Sequence, residues 1–171
     1  MSLLSWGKPV IVVKSEEEGA LYRKLNTPVD DSTNLETTEG DKTEAKIEGG
    51  EIEDVRYDKS TYKLSMQIRL KKGDKFPFTN KDGVINGSYS VWVQPEDKEA
   101  FGIQMLKTHV SIKTSYTTAD GILCDIAFDA LSPDANTEQC QFGVVEFTES
   151  EGKITAVQFT AATYESEIAE A

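Results

Sequence analysis

The sequence predicts an all-β, mostly antiparallel domain: a β-sandwich or barrel of about ten strands with at most one short helix. Three observations predict it. Apolar residues recur at every second position in segment after segment, the spacing of half-buried strands. Compact turn signals such as Asp120-Gly121 and Ser150-Glu151-Gly152-Lys153 separate those segments. Helical periodicity is almost absent, which leaves a sandwich or barrel as the architecture.

Taken in order, the chain opens with a short apolar strand, Val10 to Val13, after Pro9. Thr33 to Thr38 and Glu44 to Glu48 are more polar strands. Ser60 to Lys71 is the clearest element. Tyr62, Leu64, Met66, Ile68 and Leu70 fall on one face, and Thr61, Lys63, Ser65, Gln67 and Arg69 on the other. A helix would scatter those five apolar residues around its circumference. Ser88 to Gln94 follows, with Tyr89, Val91 and Val93 on one side and Trp92 on the other. Pro95 to Ala100, with acids behind a proline, is the one candidate for a turn of helix.

Thr108 to Thr117 and Ile122 to Ala130 form a long hairpin around Asp120-Gly121. Val110, Ile112, Thr114 and Tyr116 share a face on the first strand. Ile122, Cys124, Ile126, Phe128 and Ala130 share one on the second. Gln141 to Thr148 and Ile154 to Thr160 form another pair. The apolar parity of Gln141 to Thr148 slips between Val144 and Val145, as a β-bulge or burial on both sides would produce.

Two long loops remain. One runs from Gly49 through Glu51, Ile52, Arg56 and Tyr57 to Lys59. The other runs from Lys72 to Gly87 and carries Phe76 and Phe78. Loops of this length are functional or mobile. Residues 1–164 are read as one domain, and 165–171 as an acidic, disordered tail.

The chain has 171 residues and a net charge of −12. Such a charge repels phosphate backbones, so groove-reading or phosphate-clamping nucleic-acid binding is not expected. No apolar stretch is long enough to span a bilayer as a helix, and the start does not read as a signal peptide, so cytoplasmic synthesis is expected. Cys124 and Cys140 form no CxxC pair and read as two small buried residues in a reducing compartment.

No catalytic or cofactor-binding constellation emerges. The one histidine, His109, falls on the polar parity of its strand. Asn80-Lys81-Asp82-Gly83 has part of an EF-hand pattern but lacks the downstream bidentate Glu, so it reads as a tight turn. Asp125 and Asp129 share a polar strand face. Gly49-Gly50 lacks the Lys-Ser/Thr of a phosphate loop. No metal, cofactor or enzyme activity is expected. Trp92, on the polar side of its strand, suits an interface anchor, a carbohydrate platform, or burial beneath a loop.

One stretch resembles a known family. Gly40-Asp41-Lys42-Thr43-Glu44-Ala45-Lys46-Ile47-Glu48-Gly49-Gly50-Glu51, then Val55-Arg56-Tyr57-Asp58-Lys59 and the strand from Thr61, is similar to tail tube proteins of long-tailed phages and prophages of gut bacteria. The opening Leu4-Ser5-Trp6-Gly7-Lys8-Pro9 and the later Phe128-Asp129-Ala130-Leu131-Ser132-Pro133 belong to the same likeness. The resemblance implies a β-sandwich with one short helix, an architecture shared with type VI secretion tube subunits. It implies a structural subunit that pairs sheets edge to edge into a ring, usually a hexamer. Such rings stack into a virion tail tube together with other tail proteins, and DNA passes through the lumen without specific binding. The subunit would be made in the host bacterial cytoplasm.

On this reading Glu51, Ile52, Arg56, Tyr57, Phe76, Phe78 and Trp92 are the expected inter-subunit contacts. Deleting 74–82 is expected to stop tube growth yet leave the monomer folded. The alternative is an extracellular carbohydrate- or protein-binding sandwich.

Overall fold

The computed structural model describes residues 7–166. Eleven strands form: β1 (Val10–Ser15), β2 (Arg23–Lys24), β3 (Asn34–Thr38), β4 (Lys42–Lys46), β5 (Ile52–Tyr57), β6 (Thr61–Arg69), β7 (Tyr89–Gln94), β8 (Gly102–Thr117), β9 (Gly121–Ala130), β10 (Gln141–Ser150) and β11 (Lys153–Ala161). No helix occurs among the described residues. Leu4 to Trp6 of the opening motif, and residues 167–171 of the expected tail, lie outside them.

Nine strands make one antiparallel sheet in the order β2-β1-β7-β8-β9-β6-β3, and the β10–β11 hairpin branches from β8. The sheet curls until its two halves share a core. Ile11 and Val13 of β1 and Val91 and Val93 of β7 meet Leu64, Met66 and Ile68 of β6 and Ile126 and Phe128 of β9. Burial of these alternate residues is the main stabilising term, at roughly 25 cal/mol per Å² of apolar surface.

A bulge helps the sheet turn. Tyr89 pairs with Thr108 and Val91 with Met105, so β8 uses one residue more than β7 over this stretch. The extra residue reverses parity: Met105, then Thr108, Val110 and Ile112, all point inward. Bulges bend a strand and increase its twist. The buried Thr108 hydroxyl donates to the Tyr89 carbonyl at 2.7 Å, so the irregularity leaves that side chain satisfied.

A second, smaller core lies on the other face of β1 and β7. Val12 and Trp92 pack there against Val145 and Ile154 of the β10–β11 hairpin. At the parity slip only one face is core: Val145 is buried, whereas Val144 is half-buried beside the exposed Phe142, so neither a local bulge nor burial on both faces produces it. Pairing with β11 stays regular there, and the bulge falls later, between Thr148 and Glu149.

Two expectations are corrected. Pro95 to Ala100 is a turn, not a helix. The Asp97 carboxylate accepts from Glu99 N at 3.0 Å and the Asp97 carbonyl from Ala100 N at 3.1 Å. An aspartate that bonds its own downstream backbone closes a turn in place of propagating a helix. The expected loop 49–59 is largely strand β5, which pairs with β4 as a separate two-stranded sheet.

Candidate functional site

The β4–β5 hairpin is an arm. It leaves the body after β3 and returns into β6, and its strands pair only with each other. Among the described residues none from 36 to 63 is buried. Gly49 and Gly50, both in the left-handed region (φ 96° and 84°), turn the tip. The base is tight: a Cβ on Gly40 would sit 2.0 Å from the Asp58 carbonyl oxygen, so only glycine fits there. Ile47 and Ile52 are exposed beside that tip, and Tyr57 is 69% exposed near the base. Isolated two-stranded hairpins are at best marginal in water, and this one lays apolar side chains open to solvent.

Charge on the arm is uneven. Lys42 and Lys46 pair with Glu44, and Arg56 lies 4.0 Å from Asp58. Among the described residues Glu48, Glu51, Glu53 and Asp54, around the tip, form no ion pair. The tip is therefore acidic around an isoleucine pair.

The loop 72–87 divides in two. Phe76 is half exposed, while Phe78 is 1% exposed and sits in the main core. The Phe78 ring packs edge-on against Tyr89 and Phe128, at centroid separations of 5.0 and 6.0 Å. The Arg23 guanidinium lies over its other side and donates to the Pro77 carbonyl. Phe78 is thus a plug that holds its loop to the sheet and not an inter-subunit contact. Deleting 74–82 would remove core, so the expectation of an intact monomer is corrected. Asn80 to Gly83 is the expected tight turn, with Asp82 and Gly83 both at positive φ and a Lys81–Val84 bridge.

Of the three readings of Trp92, burial is the one observed, and its place among the inter-subunit contacts is corrected. It does point away from Val91 and Val93, but the β10–β11 layer covers it and only 6% is exposed. Its indole N–H donates to Gln104 Oε1 at 2.7 Å, and Gln104 donates in turn to Gln141 at 2.6 Å. Of the seven expected contacts, Glu51, Ile52, Arg56 and Tyr57 come together on the arm, Phe76 lies elsewhere, and Phe78 and Trp92 are internal.

Phe76 belongs to the opposite end of the molecule. It lines a depression with Thr114. Two residues on, Tyr116 is 71% exposed and stands across from Ile122, also exposed. These residues continue the core face of β8 and β9 past the end of the core. Leu70 N donates to the Ile122 carbonyl at 3.1 Å and Arg69 pairs with Asp120 at 3.0 Å, which ties the end of β6 to this hairpin tip. Lys71, Lys72 and Lys75 follow, exposed and, among the described residues, without an ion pair. Periodicity missed this surface because Tyr116 and Ile122 have the parity of core residues.

The edge of β11 stands out too. From Ile154 to Ala161 it carries no charge and no proline. Among the described residues it pairs with β10 alone. Proteins ordinarily blunt such edges with lysine, proline or short strands.

Chemistry is sparse elsewhere. His109 is exposed and faces Asp129 across the β8–β9 ladder. Asp125, opposite Lys113, lines an open groove of about 610 Å³ with Ser65, Gln67 and Ser111. No group of three or more His, Cys, Asp or Glu gathers as metal ligands among the described residues. Both thiols are free and buried. Burial, helped by Asp125, raises the Cys124 thiol, and burial, with Glu138 beside it, pushes Cys140 up to about 11. Thiols held neutral in this way are poor nucleophiles. No protein-family model matches the chain, and no curated protein matches it.

Proposed function

We propose that this chain is a structural subunit that joins copies of itself through sheet edges into rings, which stack into a phage or prophage tail tube. The observation that carries the reading is the β11 edge: eight consecutive uncharged residues, unblunted, on a strand paired on one side only. In a lone monomer that edge is a liability. In a closed ring it becomes an interface, because the neighbour's strand satisfies its backbone groups by β-augmentation. The two-faced sheet β6-β9-β8 supports the same reading. Its outer face mixes Lys63 and Lys113 with Asp125 and Asp129, a surface that DNA could slide past without being held. The burial of Trp92 removes the aromatic platform on which a carbohydrate-binding alternative depends.

Negative-stain microscopy and sedimentation of concentrated protein test the proposal. Rings or tubes are expected. Ala156→Lys with Gln158→Lys, both on exposed positions of β11, should abolish them while the circular dichroism spectrum stays that of the parent. A parent that remains monomeric at millimolar concentration defeats the proposal.

A further inference from the structure

The loop that carries Phe78 into the core rejoins the sheet through Ile85, Asn86, Gly87 and Ser88. Both sides of this junction are held. Ile85 is buried in the main core, and the Ser88 carbonyl accepts from Glu16 N at 3.0 Å, next to the pairing of Ser15 with Tyr89. Between them Asn86 and Gly87 are exposed, and among the described residues neither makes a hydrogen bond. Gly87 lies in the left-handed region (φ 89°), and a Cβ built on it would meet nothing within 4 Å.

The chain has five asparagines, and only Asn86 is followed by glycine. Asn26 and Asn136 precede threonine, Asn34 precedes leucine and Asn80 precedes lysine. Two of these side chains are also tied down. Asn26 Nδ2 donates to Asp74, and Asn80 bonds the Phe78 carbonyl and the Gly83 N–H. The Asp82-Gly83 and Asp120-Gly121 turns are quieter too. Gly83 N is engaged by Asn80, and the Asp120 carboxylate is paired with Arg69. A carboxylate is in any case a poorer electrophile than an amide.

We infer that Asn86-Gly87 is a self-modification site, where the chain deamidates with water as the co-reactant. The Gly87 nitrogen gives up its proton and attacks Asn86 Cγ, and the side-chain amide nitrogen leaves as ammonia. The new C–N bond closes a five-membered succinimide. The attack is intramolecular and meets no side chain on Gly87. Water then opens the ring at either carbonyl. Opening at Cγ gives aspartate on the normal main chain. Opening at the main-chain carbonyl gives isoaspartate, with the chain running through Cβ and Cγ. No oxidant or reductant takes part. Both products add a negative charge. Only isoaspartate lengthens the main chain, by a methylene between the anchored Ile85 and Ser88, and so loosens the loop from β7.

Peptide mapping by mass spectrometry tests the site in the whole chain, held in warm, mildly alkaline buffer. The peptide with residue 86 should gain the mass of an amide-to-acid change and split into aspartyl and isoaspartyl forms. Conversion should run at least about tenfold faster than at any other asparagine, and less than about tenfold slower than in the same chain unfolded in urea. Asn86→Gln, at an exposed position, should keep the parent's circular dichroism spectrum and lose the fast release of ammonia, because its ring closes less readily. The isoaspartyl form should melt below the parent. Asn86→Asp, with the same charge on a normal main chain, should melt with the parent. Conversion no faster than at Asn34 or Asn136, aspartate without isoaspartate, or stronger protection by the fold overturns the site. An isoaspartyl form that melts with Asn86→Asp overturns the loosening.

Discussion

Two hairpins of this chain are built alike and end differently. β8–β9 and β4–β5 are both antiparallel pairs with glycine in the turn. The first lays Val110, Ile112, Cys124, Ile126 and Phe128 into the core. The second buries nothing. The difference is in what lies opposite. β8 has β7 beside it, β9 has β6, and β1 shares their core, whereas β4 and β5 have only each other. Backbone pairing alone does not hold a hairpin in water, because ordering the chain costs about 1–2 kcal/mol per residue. The body is thus held by a core of its own, whereas the arm has none.

The sharpest way to break that contrast is to empty the body. Phe78→Ala should cost about 3–5 kcal/mol in urea denaturation, as buried phenylalanines do, although the residue comes from a loop. A cost below about 1 kcal/mol would mean that the loop is not pinned. A smaller effect comes from Cys140. Burial disfavours its thiolate in the fold and pushes the thiol from its ordinary 9.0 up to about 11. Stability from this source is therefore complete below about pH 9 and is lost as pH rises through about 11. Urea midpoints taken between pH 8 and 10.5 should fall further for the parent than for Cys140→Ala. The arm holds no cysteine, so this loss belongs to the body. The smallest effect on folding should follow from removing the arm. A short Gly-Ser link in place of 42–57 should change monomer stability by less than about 1 kcal/mol. Stacking should disappear in the same protein. A large loss of monomer stability would show that the arm packs on the body after all.

Much of this architecture is legible in the sequence. The β6 alternation from Tyr62 to Leu70 survives as half-buried and buried positions in the expected order, and the β8–β9 hairpin turns at Asp120-Gly121. What escaped has physical causes. β5 was hidden because Ile52, Val55 and Tyr57 do not keep a period of two, and no core imposes one. The first third of β8 was hidden because its bulge swaps parity between Met105 and Thr108. Phe78 lies in a loop, where periodicity says nothing about burial. Trp92 was placed on the correct face of its strand, but a face that points away from one core can still enter another. The exposed surface around Tyr116 carries core parity, and only the end of the opposing layer leaves it uncovered.

The exposed arm has a kinetic corollary. On the proposed assembly reading, a filament joined through the arm would have two chemically distinct ends, one showing acidic arms and the other the lysine-bearing ends. Under the proposed assembly, elongation would be vectorial, and different molecules would start and stop it. A copy without residues 42–57 would still offer the lysine-bearing end but no arm. Added in substoichiometric amounts, it would act as a chain terminator and shorten the filaments in proportion to its fraction.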